Sequence, residues 1–110
     1  MPFARTQAFE WKQAPGAVQL ETGQVHIWKI QLDDAYSCEA GSVLSAEELQ
    51  RSLRLISPQK RARFQCARAA LREILALYLL QSPESIQINY GPLGKPFISS
   101  PETETAFEFN

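Results

Sequence analysis

The sequence predicts a small α+β protein in which a small antiparallel sheet packs on a long central helix. Two observations predict it: apolar residues recur at helical spacing from about residue 58 to residue 80, and short stretches with strand-like alternation lie on either side. The chain has 110 residues, 45% of them apolar and 21% charged, which is typical of one ordinary globular domain of modest stability. The expected element order is strand, helix, long helix, strand, strand.

The N-terminal part is expected to be irregular up to residue 23, with the folded unit over residues 24–110. The first 23 residues contain two prolines and a glycine and show no sustained hydrophobic period. Residues 24–32 alternate in the manner of a strand. Paired acids and a glycine predict a loop from residue 33 to residue 43.

Two helix starts can be read from local signals. Ser45 followed by Glu48 is a capping-box pattern and predicts a helix from Ala46 to about residue 55. Ser57 followed by Pro58 predicts a second start, and this helix should run to about residue 80, a length of roughly 34 Å at ~1.5 Å per residue. Its apolar arc is wide, which indicates a helix covered on more than one side. The arc comprises Phe64, Ala67, Leu71, Ile74, Leu75 and Tyr78, widened by Cys66, Ala70 and Leu77.

Short strands and a tight turn are expected after the long helix. Residues 86–90 alternate as a strand, and the glycines and proline at 91–94 predict a turn. Residues 97–98 and 106–109 are candidate short strands.

The charge distribution is uneven, although the net charge is only −1. Seven of the eleven basic residues lie between residues 51 and 72, a window without Asp or Glu. The overall charge argues against nucleic acid and anionic membrane as partners. Arginines together with Trp11, Trp28 and Tyr90 could bind single-stranded nucleic acid, but the sequence shows no aromatic platform.

Targeting and cysteine signals favour a cytoplasmic protein. The N-terminus lacks the pattern of a signal peptide, and the longest apolar run is far shorter than a membrane span. Cys38 and Cys66 have neither metal-site spacing nor the number needed for a disulfide framework, so we expect reduced thiols.

Three arginines of the long helix, Arg61, Arg68 and Arg72, fall on one stripe at helical spacing. Such a stripe could bind phosphate oxygens through bidentate bonds. The alternative, favoured by spacing alone, is the solvated rim of a buried helix, with Arg68 and Arg72 paired to acids elsewhere.

The turn Tyr-Gly-Pro-Leu-Gly-Lys-Pro, residues 90–96, presents Lys95 from a stiff frame, because the following Pro96 restrains it to extended geometry. This lysine could meet a phosphate, although an ordinary hairpin is the better interpretation of the turn alone. The glycine spacing is not that of a P-loop.

The sequence gives little support for a metal site or a catalytic triad. Asp33 and Asp34 could hold a metal, but a surface loop is the favoured interpretation. His26 lacks the partner pattern of a catalytic base or a metal ligand, so a structural role is expected.

Several segments in order resemble the N-terminal half of 4′-phosphopantetheinyl transferases of the surfactin-synthetase-activating type. The resemblance is carried by LSAEELQRSLRLISPQKRARFQCARAALREILALYL, an Ile-rich strand, YGPLGKPFI and the final FN. The upstream VHIWKIQLD, with Trp11 before it, is similar to the opening of that family. The resemblance covers nearly the whole chain.

The resemblance implies a function and a set of site residues. Such enzymes move the phosphopantetheine arm of coenzyme A to a serine of an acyl or peptidyl carrier protein, with Mg²⁺. They consist of two similar α+β halves with coenzyme A between them. The residues matched to coenzyme A binding are Arg51, Tyr90, Gly94 and Lys95. Arg68 and Arg72 match arginines of the family's long helix, where a structural role is the alternative.

The same resemblance implies that this chain lacks the carboxylates of the family's metal site. We therefore expect the N-terminal part of a transferase, truncated or one piece of a split enzyme, that is inactive alone. The alternatives are a self-associating oligomer and a non-catalytic module that binds a carrier protein or a nucleotide.

Overall fold

A computed structural model describes residues 11–12, 15–32, 42–98 and 108–109. Two helices precede a small two-stranded antiparallel sheet, which confirms the α+β class. Ile88 pairs with Ile98 at the start of the sheet, and Tyr90 pairs with Pro96 at the turn end. The elements are α1 (Ala46–Leu53), α2 (Pro58–Leu79), a 3₁₀ turn (Pro83–Ser85), β1 (Ile88–Tyr90) and β2 (Pro96–Ile98).

Both predicted helix starts are confirmed. At α1 the Glu48 N–H donates to Ser45 Oγ at 3.2 Å, and the Ser45 N–H donates to Glu48 Oε1 at 2.9 Å, which completes the capping box. At α2 the Lys60 N–H donates to Ser57 Oγ at 3.4 Å, with Pro58 in the first turn.

The helix ends are set by different means. Helix α1 ends at Leu53, slightly before the predicted end, and Arg61 then holds the connection: its guanidinium donates to the carbonyl of Leu55 at 2.5 Å and of Ile56 at 2.9 Å. Helix α2 ends at Leu79 because Leu80 adopts a left-handed conformation with φ of 53°.

Small side chains line the buried face of α2. Ala69 packs with Leu44, Val43 and Leu49, which bring the start of α1 against α2. Small residues let the helices approach closely. Cys66, Ala70 and Leu75 of the predicted arc are buried, and Ala69, beside that arc, is buried as well. The buried apolar residues are Leu44, Cys66, Ala69, Ala70, Leu75 and Ile86.

The predicted strand over residues 24–32 is wrong. Within the described residues, only β1 and β2 form a ladder, and residues 24–32 have no regular structure. Val25 is 84% exposed, and Ile27 is also exposed. A strand needs a neighbouring strand to pair its backbone groups, and alternation of side chains does not supply one.

Side chains hold this segment instead. Trp28 Nε1 donates to the hydroxyl of Tyr78 on α2 at 2.8 Å, and His26 Nδ1 lies 2.7 Å from the same oxygen. His26 therefore contacts α2 through its side chain, and it does not lie in the predicted strand.

Other predictions are confirmed only in part or lie outside the described residues. The strand expected over residues 86–90 begins only at Ile88, and a 3₁₀ turn that the sequence did not indicate precedes it. Of the candidate strand at residues 106–109, only 108–109 are described, and they are not in a strand. Asp33, Asp34, Cys38 and most of the predicted loop lie outside the described residues.

A buried ion pair joins the two helices. Arg72 Nε and Nη2 each donate to Glu48 Oε1 at 2.7 Å, and Arg72 Nη1 donates to the carbonyls of Pro83 at 3.0 Å and Ile86 at 2.6 Å. Arg72 is 3% exposed and Glu48 is 5% exposed. The predicted pairing of Arg72 with an acid is confirmed, whereas its predicted position on a solvated rim is wrong.

Substituting Arg72→Ala should lower the free energy of unfolding by about 3–5 kcal/mol, because it leaves the Glu48 carboxylate buried without its partner. Urea denaturation followed by circular dichroism measures this. Arg63→Ala, at an exposed position of the same helix, is the matched control and should change stability by less than about 0.5 kcal/mol. Equal losses in the two variants would contradict the assignment.

Candidate functional site

An open cleft of about 470 Å³ lies where α1, the first half of α2 and the β1–β2 turn meet. Three guanidinium groups face it, together with aromatic and apolar side chains, and no acidic residue lines it. A concave site with convergent cations suits an anion with an apolar or aromatic part. The lining residues are Arg51, Arg54, Leu55, Phe64, Arg68, Tyr90, Gly94 and Pro96.

The ring of Tyr90 contacts two of these guanidinium groups. The guanidinium carbon of Arg51 lies 4.6 Å from the centre of the Tyr90 ring, and that of Arg68 lies 5.5 Å from it. The electron-rich ring faces attract both groups, so one ring holds two like charges near each other. The Tyr90 hydroxyl is buried and has no hydrogen-bond partner within the described part of the chain.

Arg68 is anchored on its other sides. Its Nε lies 3.7 Å from Glu48 Oε2, and its guanidinium carbon lies 5.3 Å from the centre of the Phe64 ring. Glu48 Oε2 is buried and accepts no hydrogen bond from the residues that the structure describes. The ion pair with Arg68 therefore offsets part of the cost of burying this oxygen. The predicted pairing of Arg68 with an acid is confirmed, and Arg68 also lines the cleft.

The β1–β2 turn brings Gly94 to the cleft. The Gly91 N–H donates to the carbonyl of Lys95 at 2.8 Å, and the Gly94 N–H donates to the carbonyl of Gly91 at 2.9 Å. Gly94 has φ of +82°, a conformation that side chains with a Cβ rarely adopt. The Lys95 side chain is largely exposed, with Nζ at 4.0 Å from Glu108 Oε2.

Three of the four residues matched to coenzyme A binding, Arg51, Tyr90 and Gly94, line the same cleft. Lys95 follows Gly94 in the turn and does not line it. Sequence reasoning missed Arg54, although its position three residues after Arg51 was a signal that both lie on one side of α1. It also missed Phe64 as a cleft residue, because helical spacing assigned that ring to the core.

The arginine stripe of the long helix divides by role. Arg61 donates to the carbonyls of Leu55 and Ile56, and Arg72 is buried against Glu48. Only Arg68 of the three faces the cleft, so the interpretation of the whole stripe as a phosphate site is wrong.

The cleft does not fit a magnesium ion. Mg²⁺ takes oxygen ligands from carboxylates, carbonyls and water, whereas guanidinium groups dominate this lining and repel a cation. No group of three His, Cys, Asp or Glu side chains lies close enough together among residues 11–12, 15–32, 42–98 and 108–109 to hold a metal. In the same ranges, no helix is long and apolar enough to span a bilayer.

The fold and the cleft define a class: an α+β unit with an arginine-lined cleft between a helix pair and a hairpin turn. Comparison with known proteins adds the family. The chain is 34% identical over 102 residues to the 4′-phosphopantetheinyl transferase HetI of Nostoc sp., an alignment that covers 91% of this chain and 43% of HetI. It is 40% identical over 73 residues to slr0495 of Synechocystis sp., to which the same activity is assigned provisionally, covering 66% of this chain and 30% of that protein.

The chain therefore belongs to the 4′-phosphopantetheinyl transferase superfamily. It spans less than half the length of the curated relatives it matches. No protein-family model matches it, and no solved structure matches it.

Substituting Gly94→Ala should destabilise the turn, because φ of +82° brings a Cβ into conflict with the backbone at a cost of about 1–2 kcal/mol. Gly91→Ala is the matched control: a Cβ there meets the Lys95 carbonyl oxygen at 3.6 Å, an ordinary contact. Urea denaturation should show the loss for Gly94→Ala and a much smaller one for Gly91→Ala. Equal stabilities would contradict the role given to Gly94.

Proposed function

We propose that this chain is the N-terminal part of a 4′-phosphopantetheinyl transferase of the surfactin-synthetase-activating type, and that its cleft forms one side of the coenzyme A site. The observation that carries the proposal is the similarity to HetI over 91% of the chain. The whole enzyme would move phosphopantetheine from coenzyme A to a serine of an acyl or peptidyl carrier protein. A cytoplasmic location belongs to the same proposal.

The chemistry of the cleft supports this ligand. Coenzyme A carries a pyrophosphate bridge and a separate phosphate on its ribose, and the three guanidiniums of Arg51, Arg54 and Arg68 can bind such oxygens through paired N–H groups. Lys95, exposed beside Gly94, adds a cation that can turn toward a phosphate.

The transfer reaction needs more than this set of residues. The serine hydroxyl must lose its proton, and the pyrophosphate must be polarised, a task that a metal ion performs in many phosphate-transfer enzymes. The described residues supply cations for binding, but they offer neither a carboxylate cage nor a base within the cleft. The chain would then need a second half or self-association to react.

A second candidate is a non-catalytic module that binds a carrier protein or a nucleotide. The observation that favours it is a lining of arginines with aromatic and apolar residues, which suits binding without chemistry.

Coenzyme A binding tests the cleft. Substituting Arg51→Gln should weaken binding about tenfold or more, because a hydrogen bond between charged groups contributes about 1.5–3 kcal/mol. Lys95→Gln should weaken it less, about threefold, because its ammonium is an exposed point charge. Isothermal titration calorimetry measures both. Lys12→Gln removes the same charge away from the cleft and is the control. An affinity insensitive to Arg51→Gln would overturn the site assignment.

A phosphopantetheine transfer assay tests whether the chain needs a second half for activity. The 110-residue chain, incubated with an apo carrier protein, coenzyme A and Mg²⁺, should leave the mass of the carrier protein unchanged. Intact-protein mass spectrometry measures the mass of the carrier protein, with an active full-length transferase as positive control. A gain equal to the phosphopantetheine group would show that the chain is active alone.

A further inference from the structure

Arg68 is the least exposed of the three guanidinium groups that line the cleft. Its side chain is 17% exposed, whereas Arg51 and Arg54 are both exposed residues. Solvent and salt screen a partly buried charge less than they screen a charge at the surface. An anion in the cleft should therefore interact more strongly with Arg68 than with either of the other two arginines.

Two aromatic rings and one carboxylate surround the Arg68 guanidinium. The ring centres of Phe64 and Tyr90 lie 5.3 Å and 5.5 Å from its central carbon. Glu48 Oε2 lies 3.7 Å from its Nε, which is the separation of an ion pair without a hydrogen bond. Because the carboxylate approaches the Nε edge, the two Nη groups form the end of the guanidinium that is farther from Glu48.

Glu48 is itself fixed by hydrogen bonds to its other oxygen. It is 5% exposed, and its Oε1 accepts from the Ser45 N–H at 2.9 Å and from Arg72 Nε at 2.7 Å. Oε2 is then the oxygen that approaches Arg68. The buried Arg72 balances the charge of Glu48, which reduces the repulsion between this carboxylate and an anion in the cleft. Glu48 can therefore orient Arg68 without excluding an anion.

We propose that Glu48 is a positioning residue for anion binding. It holds Arg68 by the Nε edge, so that the two Nη groups form a fork for one phosphate group of the ligand. The inference rests on the proposed function, in which this phosphate belongs to coenzyme A. A side chain that is oriented before binding loses less entropy when the ligand arrives, and two parallel N–H···O bonds also orient the phosphate.

The variant Glu48→Gln tests the positioning role. Its amide keeps an oxygen for Ser45 and Arg72, but its NH₂ group faces the Nε–H of Arg68 and does not attract it. Isothermal titration calorimetry should show coenzyme A binding weakened about fivefold, with a circular dichroism spectrum like that of the wild type. Glu47→Gln removes the same charge at an exposed position of α1 and should change the affinity less than twofold. Tighter binding by Glu48→Gln, or equal effects of the two variants, would contradict the proposal.

A double-mutant cycle separates positioning from a general loss of structure. Arg68→Gln should weaken coenzyme A binding about tenfold, and adding Glu48→Gln should then cost less than about twofold, because the group that it positions is gone. Combined with Arg54→Gln, at an exposed position of the cleft, Glu48→Gln should keep its full effect of about fivefold. An equal effect of Glu48→Gln in both backgrounds would show that Glu48 acts on the whole fold and not through Arg68.

Nuclear magnetic resonance of the unmodified chain tests the same role without relying on the folding of a Glu48 variant. The Nε–H signal of Arg68, identified by its loss in Arg68→Lys, should be visible before ligand is added. Coenzyme A should then shift the Nη signals more than the Nε signal. A Nε–H signal that appears only with coenzyme A would show that Arg68 is not positioned in advance.

The Arg68→Lys variant also tests the fork. It keeps the positive charge but loses the paired N–H groups, so it should weaken coenzyme A binding about fivefold. An affinity equal to that of the wild type would rule out the fork.

Inorganic pyrophosphate separates this proposal from the proposed function. If pyrophosphate binding depends on both Arg68 and Glu48 while coenzyme A does not bind, the coenzyme A site is wrong and the positioning role stands. If coenzyme A binds and Arg68→Gln leaves its affinity unchanged, the positioning role alone is wrong. If neither anion binds, both proposals are wrong.

Discussion

The carboxylate of Glu48 joins three parts of the chain. One of its oxygens accepts from the Ser45 N–H, which begins α1, and from two nitrogens of Arg72, which fixes α1 against α2. Arg72 then donates to the carbonyls of Pro83 and Ile86, which hold the chain that leads into β1. A buried carboxylate is costly unless it is paired and hydrogen-bonded, and these contacts offset the cost of burying Glu48.

The cleft is built from the neighbours of this ion pair. Arg51 lies three residues after Glu48 and Arg68 lies four residues before Arg72, so each shares a helix face with one member of the pair. Both guanidiniums meet at the ring of Tyr90, which stands at the end of β1. The ion pair between Glu48 and Arg72 fixes α1 against α2. It therefore also fixes the positions of Arg51 and Arg68 at the cleft.

Five arginines of the basic cluster fall into two groups. Arg61 and Arg72 are bound to backbone carbonyls, and Arg72 is bound to a buried acid as well, so they maintain the fold. Arg51, Arg54 and Arg68 face the cleft, and the first two also border the exposed Leu53 and Ile56. This division separates the arginines that hold the fold together from those that line the cleft.

What the sequence determined by itself is the local structure. The serine caps, Pro58 and the apolar period predicted both helices, because these signals act within a few residues, and the matched segments predicted the superfamily. The tertiary structure alone decided the rest. Residues 24–32 alternate like a strand but lack a strand partner in the described chain. The role of each arginine depended on Glu48, 24 residues from Arg72, and on the turn, since contacts at that range follow from packing and not from spacing.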